Sequence, residues 1–205
     1  MSGELPAGSR LRVRDLAEQV GTSVMPVREA IRRLEEAGLA ERVPHKGAVV
    51  KGLTLQELLH VYEVRRVLEM EAARQGASAI TSPEVQAMHR EYDLMRAAIT
   101  EGDPLAVLDH DEALLTVLYQ ASGNPVFTST IKGLWEQCRS YKIVGARATL
   151  HADDDSALWR FQAQLLEAAS SRDADLAAEI TDASLRDAAS RVRAQLTSTP
   201  THACE

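Results

Sequence analysis

A chain of 205 residues with 45% hydrophobic and 26% charged residues has an ordinary globular composition, long enough for one large domain or two modest ones. Aromatics make up only 4% of it, and Ala and Leu are abundant, which favours helices packed on helices over sandwiches or barrels. No run of about 18 apolar residues exists and no basic segment precedes an apolar leader, so a cytoplasmic protein without a membrane partner is expected. Cys138 and Cys204 lie far apart without metal-type spacing and are expected as reduced thiols.

The net charge of −7 is unevenly placed. Residues 1–52 carry nine Lys/Arg against seven Asp/Glu, a balance of +2, whereas residues 53–205 carry 14 against 23, a balance of −9. Such asymmetry suits a small nucleic-acid reader joined to an acidic body that faces away from phosphate.

In chain order, Val13, Leu16, Ala17 and Val20 follow the i, i+3, i+4, i+7 spacing of an amphipathic helix, and Gly21 can end it in the left-handed conformation. Ser23 can cap a second helix, with Pro26 tolerated in its first turn. That helix is expected to bury Val27, Ala30, Ile31 and Leu34, to turn Arg28, Glu29, Arg32 and Arg33 outward, and to stop at Gly38. Two short helices joined this way form a helix-turn-helix, whose second helix enters the major groove. Residues 41–44 and 48–51 are β-prone and flank His45-Lys46-Gly47, which predicts a hairpin with a basic tip.

The run from Ser2 to Val50, and above all PVREAIRRLEEAGL from Pro26 to Leu39, resembles the DNA-binding domain of the GntR family of bacterial repressors. The resemblance implies a winged helix-turn-helix and a candidate DNA-contacting set of Arg14, Ser23, Met25, Arg28, Arg32, His45, Lys46 and Gly47. The chemistry agrees: Arg28 near the start of the recognition helix can pair bidentately with guanine, while Arg14 and Lys46 suit phosphates. Two departures stand out. Val24 occupies a position where the family commonly has Arg. The family's first helix, which precedes this run, has no counterpart after Met1; a late start assignment or truncation is the expectation, and a degenerate DNA domain is the alternative.

From Leu53 onward, six helices are predicted by their start signals. Thr54 to Glu57 reads as a capping box opening a helix to about Ala79. Ser82-Pro83-Glu84 starts a second, ending near Gly102; Asp103-Pro104 starts a third, to Ser122; Asn124-Pro125 starts a fourth, to about Ala148. His151 to Asp155 reads as a polar loop, followed by a fifth helix over roughly 156–171 and a sixth from Asp173 to about Leu196. The fold class is therefore mainly α: a winged helix-turn-helix over 1–52, an all-α six-helix bundle over 53–197, and a tail over 198–205 expected to be disordered.

The residues Tyr62-Glu63-Val64-Arg65, Leu68-Glu69, Ala72-Ala73, Asp111, Ala121 to Pro125, Leu165 to Ala168 and Asp173 resemble the FCD ligand-sensing domain of the FadR subfamily, in its shorter, VanR-like group. That resemblance implies a homodimer, an effector pocket inside the bundle and a palindromic operator. It also implies a divalent metal held by Asp-x3-His and two later histidines. On this chain those four positions fall at Asp111, Leu115, Gln162 and Ser184. One ligand of four remains, and His45, His60, His89, His110, His151 and His202 do not repair the set, His110 reading as a surface residue; no metal and no other cofactor is expected.

A metal-free pocket is then expected to hold a small molecule by side chains alone. The candidate effector-binding residues are Arg65, Asp111, Leu115, Arg139, Trp159, Gln162 and Ser184, with Phe161 nearby; Arg65 is equally placed for a helical ion pair with Glu69. The leading expectation is a DNA-binding transcriptional regulator, a repressor, controlled by a small-molecule effector, with double-stranded DNA and a second copy of itself as partners. The alternative is a dimeric small-molecule binder that has lost operator recognition. No nucleophile–base pair or phosphate-cradling loop is visible, so an enzyme is not expected.

Overall fold

A computed structural model describes residues 9–36, 39–150 and 159–198. Among these residues the chain forms eight helices and one two-stranded sheet, and it divides after Thr54 into two compact units. Several expectations lie outside the described residues: the stop at Gly38, the loop His151 to Asp155, the first residues of the fifth bundle helix, Cys204 and the tail from residue 199 on.

The N-terminal unit holds α1 (Val13–Gln19), α2 (Val24–Glu36) and a hairpin of β1 (Ala40–Val43) and β2 (Gly47–Val50). Gly21 ends α1 with φ +67°, a conformation that costs a residue without Cβ little, and the Thr22 N–H closes the turn onto the Ala17 carbonyl at 2.9 Å. Helix α2 buries Val27 and Ile31 as expected, but Ala30 and Leu34 are exposed. Two residues one turn apart fill the contact with Leu11, Ala17 and Ala40, and no described element covers the flank where Ala30 and Leu34 lie.

In the wing, β1 and β2 pair antiparallel from Ala40 opposite Val50 to Val43 opposite Gly47. The tip combines Pro44 with positive φ at His45 (62°), the sequence of a type II turn, and the Lys46 N–H closes it onto the Val43 carbonyl at 3.1 Å. The chain before α1 then braces the hairpin's second strand. Leu11 N–H donates to Ala48, Val50 N–H donates to Ser9, and Arg10 bridges Val49. Nothing in the period or composition of residues 9–11 signals this third edge.

The C-terminal unit is six helices: α3 (Leu55–Ala79), α4 (Ser82–Glu101), α5 (Pro104–Gln120), α6 (Pro125–Leu150), α7 (Arg160–Ser171) and α8 (Ala174–Ser198). Four of them, α4, α5, α6 and α8, start at side chains that bond backbone N–H groups. Asp103 accepts from the Leu105 and Ala106 amides at 2.9 and 3.1 Å, Asn124 from Val126 at 3.0 Å, and Asp173 from Leu176 at 3.0 Å. The cap of α4 is Thr81 rather than Ser82: the Glu84 carboxylate accepts from both the Thr81 amide (2.8 Å) and hydroxyl (2.6 Å), which lowers the Glu84 pKa. Only Thr81 has the glutamate three residues on that such reciprocal bonding requires.

Helix α3 lies against α8, α5 and α6; α4 lies against α5 and α7. The core is built from Ala72, Ala73, Ala77, Leu114, Leu118, Ile131 and Leu165 with their neighbours. Small residues on α3 let α5 approach closely. At Gly76 the approach is closest: a Cβ there would sit 2.0 Å from the Leu118 carbonyl oxygen.

One buried charge joins three of these helices. Glu69 on α3 is 1% exposed. Its carboxylate accepts from Arg65 Nε (2.7 Å, α3), Trp135 Nε1 (2.9 Å, α6) and the Tyr119 hydroxyl (3.1 Å, α5). Burial disfavours the charge on Arg65, but the Glu69 carboxylate outweighs it and holds its pKa well above the ordinary value. Burial first, and the Glu69 charge second, push the Tyr119 phenol well above its usual pKa, so it remains a donor.

Two measurements check this account. Gly76→Ala forces a methyl into backbone and should cost about 1–3 kcal/mol, seen as a melting point lower by several degrees with the helical signal retained. Above about pH 10 the phenol ionises in the unfolded chain but stays protonated when folded, so rising pH favours unfolding. Below that pH both states are protonated and Tyr119 contributes no slope. The urea midpoint should therefore be flat in this respect from pH 7 to 9 and fall above about 10, and Tyr119→Phe should make the fall shallower. A mutant whose alkaline slope matches the wild type would remove Tyr119 from this role.

Candidate functional site

Two sets of residues have the makings of a site, one on each unit. On the N-terminal unit Arg14 lies on α1, Ser23 immediately precedes α2, Met25, Arg28 and Arg32 lie on α2, and His45, Lys46 and Gly47 form the wing tip; all eight are exposed. Met25, 68% exposed, lies one turn from Arg28 on α2, so an apolar and a cationic group share one exposed helix face.

The cations differ in how free they are. Arg32 is clamped between Glu29 (2.7 Å) and Glu36 (2.6 Å), and its hydrogen bond lowers the Glu29 pKa. Arg33 and Arg42 also face acids, Glu29 at 3.6 Å and Glu35 at 3.0 Å. Arg32 is thus correctly outward but is not a free donor, a correction that follows from acids three residues before and four after it on one helix face. Arg14, Arg28 and Lys46 make no ion pair among the described residues.

On the C-terminal unit a cavity of about 280 Å³ opens between α3, α5, α6, α7 and α8. Arg65, Asp111, Leu115, Gln162 and Ser184 all line it, so five residues scattered over 120 positions converge on one space. Phe161, three tyrosines and a set of aliphatic side chains make up much of the remaining wall.

Two candidates do not line this cavity. Trp159 packs toward α4, with the Arg96 guanidinium 4.2 Å from its ring centroid and the Met95–Ile99–Val107 cluster beside it. Arg139 points to α5, where it bonds Glu112 at 2.8 Å and also pairs with Asp109. Position explains both. Trp159 precedes the first turn of α7 and so leaves the inward face to Phe161, and Arg139 lies beside the inward stripe of α6 rather than on it. Arg65 reaches the cavity, but Glu69 takes its Nε and Cys138 Sγ accepts from Nη1 at 3.4 Å. His110, read as a surface residue, is part-buried with Nδ1 2.8 Å from Glu91 on α4.

Sequence reasoning missed Lys142. It lies on α6 with its side chain 12% exposed and its Nζ 3.3 Å from both Asp111 Oδ2 and Glu112 Oε1. Burial works against its charge, but Asp111 outweighs that and leaves the pKa raised. The signal was present. Thr128, Ile131, Trp135, Cys138 and Ala146 mark the buried stripe of α6, and a lysine at 142 continues their alternating three- and four-residue spacing.

The donor set does not fit a divalent metal. Asp111 Oδ1 accepts from Gln162 Nε2 at 2.6 Å and Oδ2 faces the Lys142 ammonium, so both carboxylate oxygens are engaged. Leu115 offers no lone pair, Gln162 has turned its nitrogen toward the acid, and a cation there would sit beside another cation. Among the described residues, no helix is long and apolar enough to cross a membrane.

The comparisons with known proteins agree with both units. The model of the gntR family of bacterial regulatory proteins matches residues 1–50, and that of the FCD domain matches residues 60–187. The HTH-type transcriptional regulator McbR of Escherichia coli (strain K12) is 26% identical over 133 residues, 65% of this chain and 60% of that protein. A probable D-xylose utilization operon transcriptional repressor of Paenarthrobacter nicotinovorans is 41% identical over 76 residues, 37% of this chain and 34% of that one. The chain thus spans about three fifths or less of these curated relatives' length. Among solved structures, E. coli McbR/YncC superposes with TM-score 0.72 at 22% identity, covering 94% of this chain and 90% of that one. A GntR-family regulator from Pseudomonas syringae pv. tomato gives 0.58 at 26% identity, covering 95% and 79%. The chain belongs to the gntR family of bacterial regulatory proteins, in its FCD-domain branch.

Proposed function

We propose that this chain is a DNA-binding transcriptional regulator, a repressor, whose operator affinity responds to a small molecule held in the cavity of its helical unit. The observation that carries the reading is the pairing, in one chain, of an exposed helix-turn-helix and wing with a bundle enclosing a mixed apolar and polar cavity. The two relatives named above are themselves described as a transcriptional regulator and a probable operon repressor. A homodimer on a palindromic operator, acting in the cytoplasm, is the assembly that suits such a reader. The effector is held without a metal, because Asp111 is already occupied. Ligand shifts the equilibrium between DNA-competent and incompetent states only by the difference in its affinity for the two.

Arg28 and Lys46 play different parts. A bidentate arginine–guanine pair discriminates by about 1–3 kcal/mol, whereas a lysine at a phosphate adds affinity to every sequence. The test selects operators from random duplexes with the purified chain, then measures binding by fluorescence polarisation against salt. Arg28→Ala should relax preference at one base position. Lys46→Ala should weaken all duplexes alike and reduce the salt slope by about one. Failure of the wild-type chain to enrich any sequence would overturn the regulator reading in favour of a small-molecule binder without an operator.

A further inference from the structure

The charged groups lining the cavity are already matched. Arg65 pairs with Glu69 at 2.7 Å, Lys142 lies 3.3 Å from Asp111 and from Glu112, and Arg191 pairs with Asp187. An anionic ligand therefore meets no cation lacking an anion, and a cationic ligand meets no bare carboxylate. Either would bring a net charge into a site that burial penalises.

At Gln162, Thr149 and Thr181 the open hydrogen-bonding capacity is all of one kind, while the Ser184 hydroxyl on the same wall can donate or accept. Gln162 Oε1 is buried without a partner among the described residues. Its orientation is fixed, because Nε2 donates to Asp111 at 2.6 Å and the flipped amide would set two acceptor oxygens together. Thr149 and Thr181 also line the cavity, and each spends its hydroxyl hydrogen on its own helix, at Gly145 (3.0 Å) and Ala177 (2.8 Å). What these three residues have left to offer is lone pairs. The volume lies at the small end of ligand pockets, and much of the remaining wall is aliphatic.

We propose that the cavity takes a compact, uncharged ligand with an apolar body and a hydroxyl or amide N–H that donates to Gln162 Oε1, and that Lys142 is the cavity's resident cation. Lys142 holds Asp111, Asp111 holds the Gln162 amide nitrogen, and the amide oxygen is left to read the ligand. This inference rests on the cavity being the effector site, and its test is independent of operator binding.

The test uses the full chain in EDTA and four probes of nearly one size: benzyl alcohol, benzamide, benzoate and benzylammonium. Binding at millimolar concentration is read by ligand-observed NMR. Benzyl alcohol and benzamide should bind ahead of both ions. Gln162→Met should weaken the neutral pair about two- to tenfold, the effect of one net hydrogen bond. Lys142→Met leaves Asp111 without a cation, Glu112 keeping Arg139, and should move benzylammonium to the front of the order. Benzoate binding ahead of the neutral probes would overturn the proposal, as would no binding by either neutral probe, or neutral binding unchanged in Gln162→Met. Should Lys142→Met fail to fold, the wild-type charge order and Gln162→Met decide the matter. A reversed charge order leaves the regulator reading standing, and a chain that selects no operator leaves the charge order standing.

Discussion

The bundle depends on a carboxylate that has no access to water. Glu69 is 1% exposed, and donors from α3, α5 and α6 all reach its carboxylate. An ion pair buried in this way is weak evidence for net stability, since desolvating the two charges offsets much of their attraction. Its geometry is strict, however. Arg65, Tyr119 and Trp135 can meet Glu69 together in one arrangement of the three helices, and any slip in register leaves a buried charge short of donors. The close approach of α3 and α5 at Gly76 and Leu118 fixes the same arrangement by sterics. Two unrelated constraints, one electrostatic and one of volume, agree on where α5 runs, and α5 carries Asp111 and Leu115 into the cavity.

The architecture was legible because punctuation residues act locally. Asp103, Asn124 and Asp173 cap helices by bonding amides two or three positions on, so the sequence contains the whole mechanism. The wing was legible in two β-prone runs on either side of a Gly-containing turn. Misreadings came where the answer lay in a partner distant in sequence. Ala30 and Leu34 have the right helical phase but nothing described to pack on. The strand-like contact of residues 9–11 depends on where β2 ends up, which no local pattern encodes.

The cavity shows the same division at finer scale. Asp111, Leu115, Gln162 and Ser184, the positions that the family resemblance implies, do converge on one cavity. Trp159 and Arg139 have chemistry suited to a ligand, and both turn elsewhere. A lysine is ordinarily a surface residue, but the spacing of its buried neighbours on α6 places Lys142 inward. Facing, set by the period of the buried stripe, outranked residue type in each case. On the reading helix, acids at Glu29 and Glu36 bracket Arg32, so counting basic residues overstated the charge available there.

The occupied oxygens of Asp111 also constrain how this chain could change. Gaining a histidine at position 115 would add a metal ligand while leaving an ammonium 3.3 Å from the carboxylate, and a second cation would be repelled from the acid that should bind it. Losing Lys142 first removes that obstacle but leaves Asp111 as a buried acid without a cation. Neither single step is comfortable, so the two substitutions are tightly epistatic: each is tolerable chiefly in the presence of the other. A cavity of this kind is separated from a metal-holding one by a valley rather than a slope, and relatives on the two sides should differ at positions 115 and 142 together.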